Sequence, residues 1–225
     1  MKWGVVVFPG SNCDQDSFHV VKNVLQNEAT YLWHKDRDLK GVDVIILPGG
    51  FSYGDYLRSG AMARFSPIME EVIQFAKSGR PLVGICNGFQ ILVEAGLLPG
   101  ALMRNRSLQF ICKDVYVRAE TTKGVWTSKL KNKKVLKMPI AHGDGQYFIK
   151  KEELKKIEDQ DQIAFRYCSP EGKLDPSFNP NGSLDHIAGV YNEKKNILGL
   201  MPHPERASEE ILGSTDGRFI LESVL

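Results

Sequence analysis

Cysteine is scarce in this chain, with four in 225 residues at positions 13, 86, 112 and 168 and no C-x-x-C pair among them. That spacing excludes a disulfide-stapled framework and predicts reduced thiols and no metal site. No apolar run approaches the roughly 20 residues that a membrane span requires, so no membrane partner is expected. An excess of one charge is missing too: 29 Lys and Arg stand against 27 Asp and Glu, a net +2. A balance of that kind makes nucleic acid a poor default partner. Neither G-x-x-x-x-G-K-[ST] nor a G-x-G-x-x-G after a strand occurs, so no nucleotide or other cofactor is expected in this chain. The opening "MKWGVVVFPG" has one charge and a short apolar run before Pro9, which predicts no secretory signal and a cytoplasmic protein. There is no internal repeat and no long linker, and a single domain over 1–225 is expected.

What remains is an ordinary globular composition, 42% hydrophobic and 25% charged. "KWGVVVF" is a short β-branched run of the kind buried on both faces of a parallel sheet, followed by a helical pattern in "SNCDQDSFHVVKNVLQNE". The alternation repeats through "ATYLWH", "VDVIILPGG", the helix "SPIMEEVIQFAKSG" with Ile68, Met69, Val72 and Phe75 inward, "RPLVGIC" and a helix opening at Asn87. It predicts an α/β fold, a doubly wound, mostly parallel sheet flanked by helices. After about Gly100, closely spaced strand-like segments, "LQFICKDVYVRAE", "GVWTSKL" and "VLKMPIAHGDGQYF", predict added antiparallel strands. "KKEELKKIEDQ" and "DGRFILESVL" read as helices, and "HIAGVYNEKKNILGLMPHPE" as two strands around a turn.

The stretch "RPLVGICNGFQIL" places Cys86 between Gly84 and Gly88, where a strand gives way to a helix. A nucleophile on so sharp a turn needs small residues two before and two after it. The same turn sets the side chain at a helix N-terminus, which favours thiolate and offers N–H groups to an oxyanion. The pattern alone is equally compatible with a buried thiol. Cys13, in "FPGSNCDQD", is a weaker rival because Asp14 and Asp16 beside it would raise a thiol pKa. Cys112 and Cys168 lie in apolar strand-like runs and read as buried structural thiols.

A thiol nucleophile needs a proton carrier. Among five histidines, His203 in "LGLMPHPERAS" precedes a proline that biases it to extended backbone, and residues two apart on such a chain share a side. His203 and Glu205 could then touch. Alone, the segment is better explained by a surface His-Pro-Glu turn; beside an elbow cysteine the catalytic reading is the better one. Gly49 and Gly50, ending the third strand, could supply a second oxyanion donor.

Taken together, these residues resemble the class I (triad) glutamine amidotransferases. Within them, "FPGSNCDQD", "LPGGFSYGDYLRSGAMARFSPIM", "GICNGFQIL", "AHGDGQYF", "NPNGS" and "GLMPHPERA" resemble, in order and end to end, the family of glutaminase subunits of phosphoribosylformylglycinamidine synthase. The resemblance implies a flavodoxin-like amidotransferase domain. It implies that Cys86 attacks the side-chain amide of L-glutamine, giving a γ-glutamyl thioester and ammonia, with His203 assisting and Glu205 behind it. Oxyanion and substrate contacts would come from Gly49, Gly50, Phe51, Ser52, Asn87, Gln90, His142 and Gly143. Ammonia would pass to a separate synthetase subunit holding ATP and Mg, with a small bridging subunit in the complex. The alternatives are a free-standing amidase or γ-glutamyl hydrolase, and a non-enzymatic cysteine sensor of the same fold. The lysine-rich "KLKNKKVLK" at 129–137 reads as a solvated face.

Overall fold

The computed structural model describes residues 1–132 and 134–225; Lys133, inside the lysine-rich stretch, lies outside the described residues. Strands β1 (Lys2–Val7), β2 (Glu28–Trp33), β3 (Val44–Leu47), β4 (Leu82–Ile85) and β11 (Ile197–Leu200) run parallel. Beyond β11 the same sheet continues antiparallel through β10 (Ile187–Tyr191), β9 (Ile163–Cys168), β6 (Ile111–Ala119) and β7 (Val135–His142). The full order is β2-β1-β3-β4-β11-β10-β9-β6-β7.

Composition explains the central strands. "VIIL" in β3, "LVGI" in β4 and "ILGL" in β11 are buried at every position, as strands covered on both faces must be. Helix α1 (Asp14–His19), prolonged by a π-helical turn at Val20–Val24, packs on β1 and β2. Helix α2 (Pro67–Lys77) buries Ile68, Met69, Val72 and Phe75, the predicted face. Helix α3 (Asn87–Glu94) packs on β3, β4 and β11, and α4 (Lys151–Asp159) and α5 (Asp216–Glu222) are the remaining α-helices among the described residues. The strand order reverses beside β1, and the loops after β3, β4 and β11 leave the carboxyl edge together, where α/β sheets place their sites.

Three local expectations fail. "GVWTSKL" is a chain of turns rather than a strand. Its apolar character comes from Trp126, which is fully buried edge-on to Trp3 at 6.0 Å and donates its indole N–H to Asn196 O. Cys112 is exposed rather than buried. The first half of β6 pairs with β7 but overruns β9, which it meets only at Tyr116–Ala119, so residues 111–114 project as a two-stranded ribbon. A separate two-stranded sheet, β5 (Ala101–Met103) with β8 (Gln146–Phe148), was not anticipated.

Candidate active site

Cys86 closes β4 and opens α3 with φ 51° and ψ −105°. A residue with a side chain reaches positive φ only under constraint from its surroundings, and the constraint here is the packing of strand against helix. A Cβ on Gly84 would lie 2.5 Å from Gly88 O, and one on Gly88 only 2.0 Å from Leu47 O. Both positions therefore have room for hydrogen alone. The Cys86 N–H donates to Leu200 O, tying the elbow to β11, and Sγ lies 3.6 Å from Ala141 O on β7.

His203 follows β11 with an extended φ of −102° and ψ of 93°, as its proline neighbour requires. Its N–H donates to Pro139 O, and its Nδ1 lies 2.6 Å from Glu205 Oε1. Both side chains are about 2% exposed. Burial opposes a charged imidazole, yet the Glu205 carboxylate, with the thiols of Cys13 and Cys86 against the ring, holds His203 well above its ordinary pKa. Among the described residues, His203 Nε2 and Glu205 Oε2 have no hydrogen-bond partner.

Gly49 packs beneath this pair: a Cβ there would stand 2.7 Å from His203 Cε1 and 3.1 Å from Cys13 Sγ. Gly50 has φ +140°, and a side chain would strike Asn12 N at 2.7 Å. The Phe51 N–H donates to Gly10 O and that of Ser52 to Asn87 Oδ1, whereas the amides of Gly50 and Asn87 have no acceptor among the described residues. Amide donors of this kind, beside a nucleophile at a helix N-terminus, are suited to holding an oxyanion.

A cavity of about 580 Å³ opens on Cys86, and Gly50, Phe51, Gln90, His142 and Gly143 line it. Phe51 is 46% exposed at the rim, its ring 6.3 Å from that of Phe110. Gln90 is fixed by two bonds, accepting from Asn87 Nδ2 at 2.9 Å and donating to Asp144 O at 2.6 Å. Gly49 and Ser52 stand behind the wall, Gly49 under His203 and Ser52 beside Asn87. Burial and the nearby His203 push the His142 pKa down to about 4.

Cys13 was expected to face carboxylates. Instead Asp16 accepts from Arg206 Nε at 3.0 Å, and the same guanidinium reaches Cys13 Sγ at 3.3 Å. Cys13 thus forms part of the packing around His203, away from the cavity. Cys168 is buried, and burial pushes its thiol up to about 11.

Sequence reasoning missed Asp55, Ser59 and Asp144, which line the cavity with Cys86. Ser59 Oγ donates to Asp144 Oδ2 at 2.8 Å across 85 residues of chain. Acidic residues set among glycines, in "YGDYLRSG" and "HGDG", were the only local signal.

The CobB/CobQ-like glutamine amidotransferase domain matches residues 1–217. Phosphoribosylformylglycinamidine synthase subunit PurQ of Moorella thermoacetica is 54% identical over 225 residues, covering 100% of this chain and 95% of the relative. The subunit of that name from Synechocystis is 55% identical over 215 residues, 96% of each chain. A chain of the solved PurLQS structure from Thermotoga maritima superposes with a TM-score of 0.86 at 42% identity, covering 99% of this chain and 96% of that one. The chain therefore belongs to the CobB/CobQ-like glutamine amidotransferase domain family and, within it, to the family of phosphoribosylformylglycinamidine synthase PurQ subunits.

Proposed function

We propose that this chain is the glutaminase subunit of phosphoribosylformylglycinamidine synthase in purine biosynthesis, with Cys86, His203 and Glu205 as its catalytic residues. The observation that carries the reading is the strained elbow of Cys86, which opens on the cavity and has the buried His203–Glu205 pair against it. The thiolate attacks the side-chain amide carbon of L-glutamine. The oxyanion is held by the amides of Gly50 and Asn87, and His203 gives its proton to the departing ammonia. The γ-glutamyl thioester that remains is hydrolysed by a water from which His203 takes a proton, releasing glutamate and restoring the thiolate beside a protonated His203.

Ammonia passes to a synthetase subunit, which binds ATP and Mg and converts formylglycinamide ribonucleotide to formylglycinamidine ribonucleotide. A small bridging subunit completes the complex, for which the superposable chain of the Thermotoga maritima PurLQS structure is the support. The cytoplasm is the proposed location. Among the described residues no helix is long and apolar enough to cross a membrane.

The test is the Cys86→Ala variant in the assembled complex. Glutamine-dependent synthesis should disappear while synthesis from added ammonia persists. Glutamate release at the parental rate would overturn the assignment, and equal loss with both nitrogen donors would mean that Cys86 is needed for assembly rather than chemistry.

A further inference from the structure

Behind the His203–Glu205 pair, on the face turned from the cavity, stands a second thiol. Cys13 is 3% exposed and lies where the loop after β1 enters α1. Its N–H donates to Gly49 O at 3.2 Å, and its carbonyl accepts from the N–H and the Oγ of Ser17 at 3.0 and 2.8 Å. Tied on one side to the loop after β3 and on the other to the helix, the sulfur has little latitude. It rests against the His203 ring, in space that Gly49 leaves open for both. Sγ, a ring nitrogen of His203 and a carboxylate oxygen of Glu205 all lie within 4.8 Å of one another. The bond from Nδ1 to Glu205 fixes one point of the imidazole, about which the ring can still tilt. The sulfur supplies a second point, and two points set where Nε2 aims.

The sulfur is held in turn by a cation. Arg206 Nη2 donates to Cys13 Sγ at 3.3 Å and Arg206 Nε to Asp16 Oδ2 at 3.0 Å, while the thiol donates to Asn12 Oδ1 at 3.4 Å. Sulfur is a weak donor and a weak acceptor, and both capacities are used here. Where Arg206 points matters for a second reason. It follows Glu205 directly in the chain, its N–H turns back to His203 O at 3.2 Å, and it feels the Glu205 charge. Glu205 Oε2 is buried with no hydrogen-bond partner among the described residues. A carboxylate oxygen in that state attracts a guanidinium strongly. An Arg206–Glu205 pair would weaken the hold of Glu205 on the imidazolium, and Asp16 and Cys13 draw the guanidinium the other way.

We propose that Cys13 is a positioning residue of the glutaminase reaction: its sulfur sets the tilt of the His203 ring and, with Asp16, keeps Arg206 off Glu205. The inference rests on the glutaminase reading above and adds a residue that acts through His203, since Cys13 is not among the residues that line the cavity. The titratable and charged groups around His203, among the described residues, are Glu205 and Arg206 on its own segment, Cys13 before α1, Cys86 before α3 and His142 on β7. His142, its pKa pushed down to about 4, stays neutral above pH 5. Contact with Cys13 raises the His203 pKa, so loss of the thiol lowers it.

The test measures glutamine hydrolysis from pH 5 to 9 in the chain assembled with its synthetase partner. Cys13→Ala should lower kcat on the order of 10-fold with KM for glutamine nearly unchanged, because the proton carrier is displaced and the cavity is not. Its high-pH limb should move to lower pH by about half a unit, the effect of one ordinary hydrogen bond to the charged imidazole. Cys13→Ser, which keeps a donor and an acceptor, should recover most of both. Adding Arg206→Gln to Cys13→Ala should return part of the shift, because that cation can no longer reach Glu205. Asp16→Asn approaches the same device from the surface, and its limb should move in the same direction. Parental kcat and limb in Cys13→Ala would overturn the inference, as would a loss of kcat with an unmoved limb, the result of a merely structural role. If Cys13→Ala does not fold, an unmoved limb in Asp16→Asn overturns it instead. Labelling of Cys86 by 6-diazo-5-oxonorleucine separates the two readings. A labelled parent that hydrolyses glutamine with a profile indifferent to Cys13 and Asp16 removes only the positioning role; a parent that is neither labelled nor active removes the glutaminase reading with it.

Discussion

His203 Nδ1 and Glu205 Oε1 are 2.6 Å apart, and the second oxygen of Glu205 is buried without a hydrogen-bond partner among the described residues. A carboxylate that deep is tolerated only opposite a positive charge, so the pair favours the imidazolium form and leaves Nε2 as its one uncommitted nitrogen. Two residues of spacing across a proline bring the pair together, and the bond from the His203 N–H to Pro139 O anchors it to β7. The cost of burying the pair is part of what the surrounding fold must offset.

The roles of the two residues separate by rate and by pH. His203→Ala should reduce glutamine hydrolysis by roughly 10³- to 10⁴-fold, because the proton carrier is gone, and Glu205→Gln should lose less. Glu205 raises the His203 pKa, so its removal lowers it, and the high-pH limb of the glutaminase profile should move to lower pH in Glu205→Gln. A larger loss in Glu205→Gln, or an unmoved limb, would contradict this division. Initial rates from pH 5 to 9 are sufficient.

The elbow makes a stability prediction. In Gly88→Ala the added methyl meets the Leu47 carbonyl at 2.0 Å, and backbone on both sides must shift. The variant should lose about 3 kcal/mol in urea unfolding, together with Cys86 reactivity. Unchanged stability would mean that α3 and β3 are not packed as closely as the geometry requires.

Much of this was legible in advance, for a physical reason. Strands buried on both faces are written as continuous apolar runs, and a strand-to-helix turn under a nucleophile requires glycines at fixed spacing, so β3, β4 and the Cys86 elbow could be read locally. Trp126 misled because a buried aromatic has the same composition in a packed turn as in a strand. Cys112 misled because burial depends on how far β9 extends beside β6, which no local pattern encodes. Asp55 and Asp144 escaped notice because their relationship is made by Ser59 and Gln90 across tens of residues, and a lone acid in a glycine-rich loop has many ordinary explanations.

The four thiols should differ in reactivity according to their surroundings. Cys112, exposed on the β6–β7 ribbon, should react with iodoacetamide whether or not glutamine is present. Cys168, buried and with its pKa pushed up to about 11, should remain unmodified at pH 7.5 until the protein unfolds. Glutamine should slow labelling at Cys86 alone, since that thiol opens on the cavity. Peptide mapping by mass spectrometry reads all four, and protection of Cys112 by glutamine would place the substrate elsewhere.

His142 predicts how the fold responds to acid. Its folded pKa is pushed down to about 4 from an ordinary 6.5, by burial first and by His203 second, so the unfolded chain binds its proton at higher pH than the native one. The stability this group contributes is complete above pH 6.5 and is lost as the pH falls toward 4, by then about 3 kcal/mol. His142→Gln keeps a polar group near Asn105 but cannot titrate. Between pH 7 and pH 4 the parent should therefore lose about 3 kcal/mol more than the variant in urea unfolding. The difference between the two curves cancels the carboxylates and His203, which both proteins share. Parallel curves over that range would show that His142 takes up its proton in the native state as readily as in the unfolded chain.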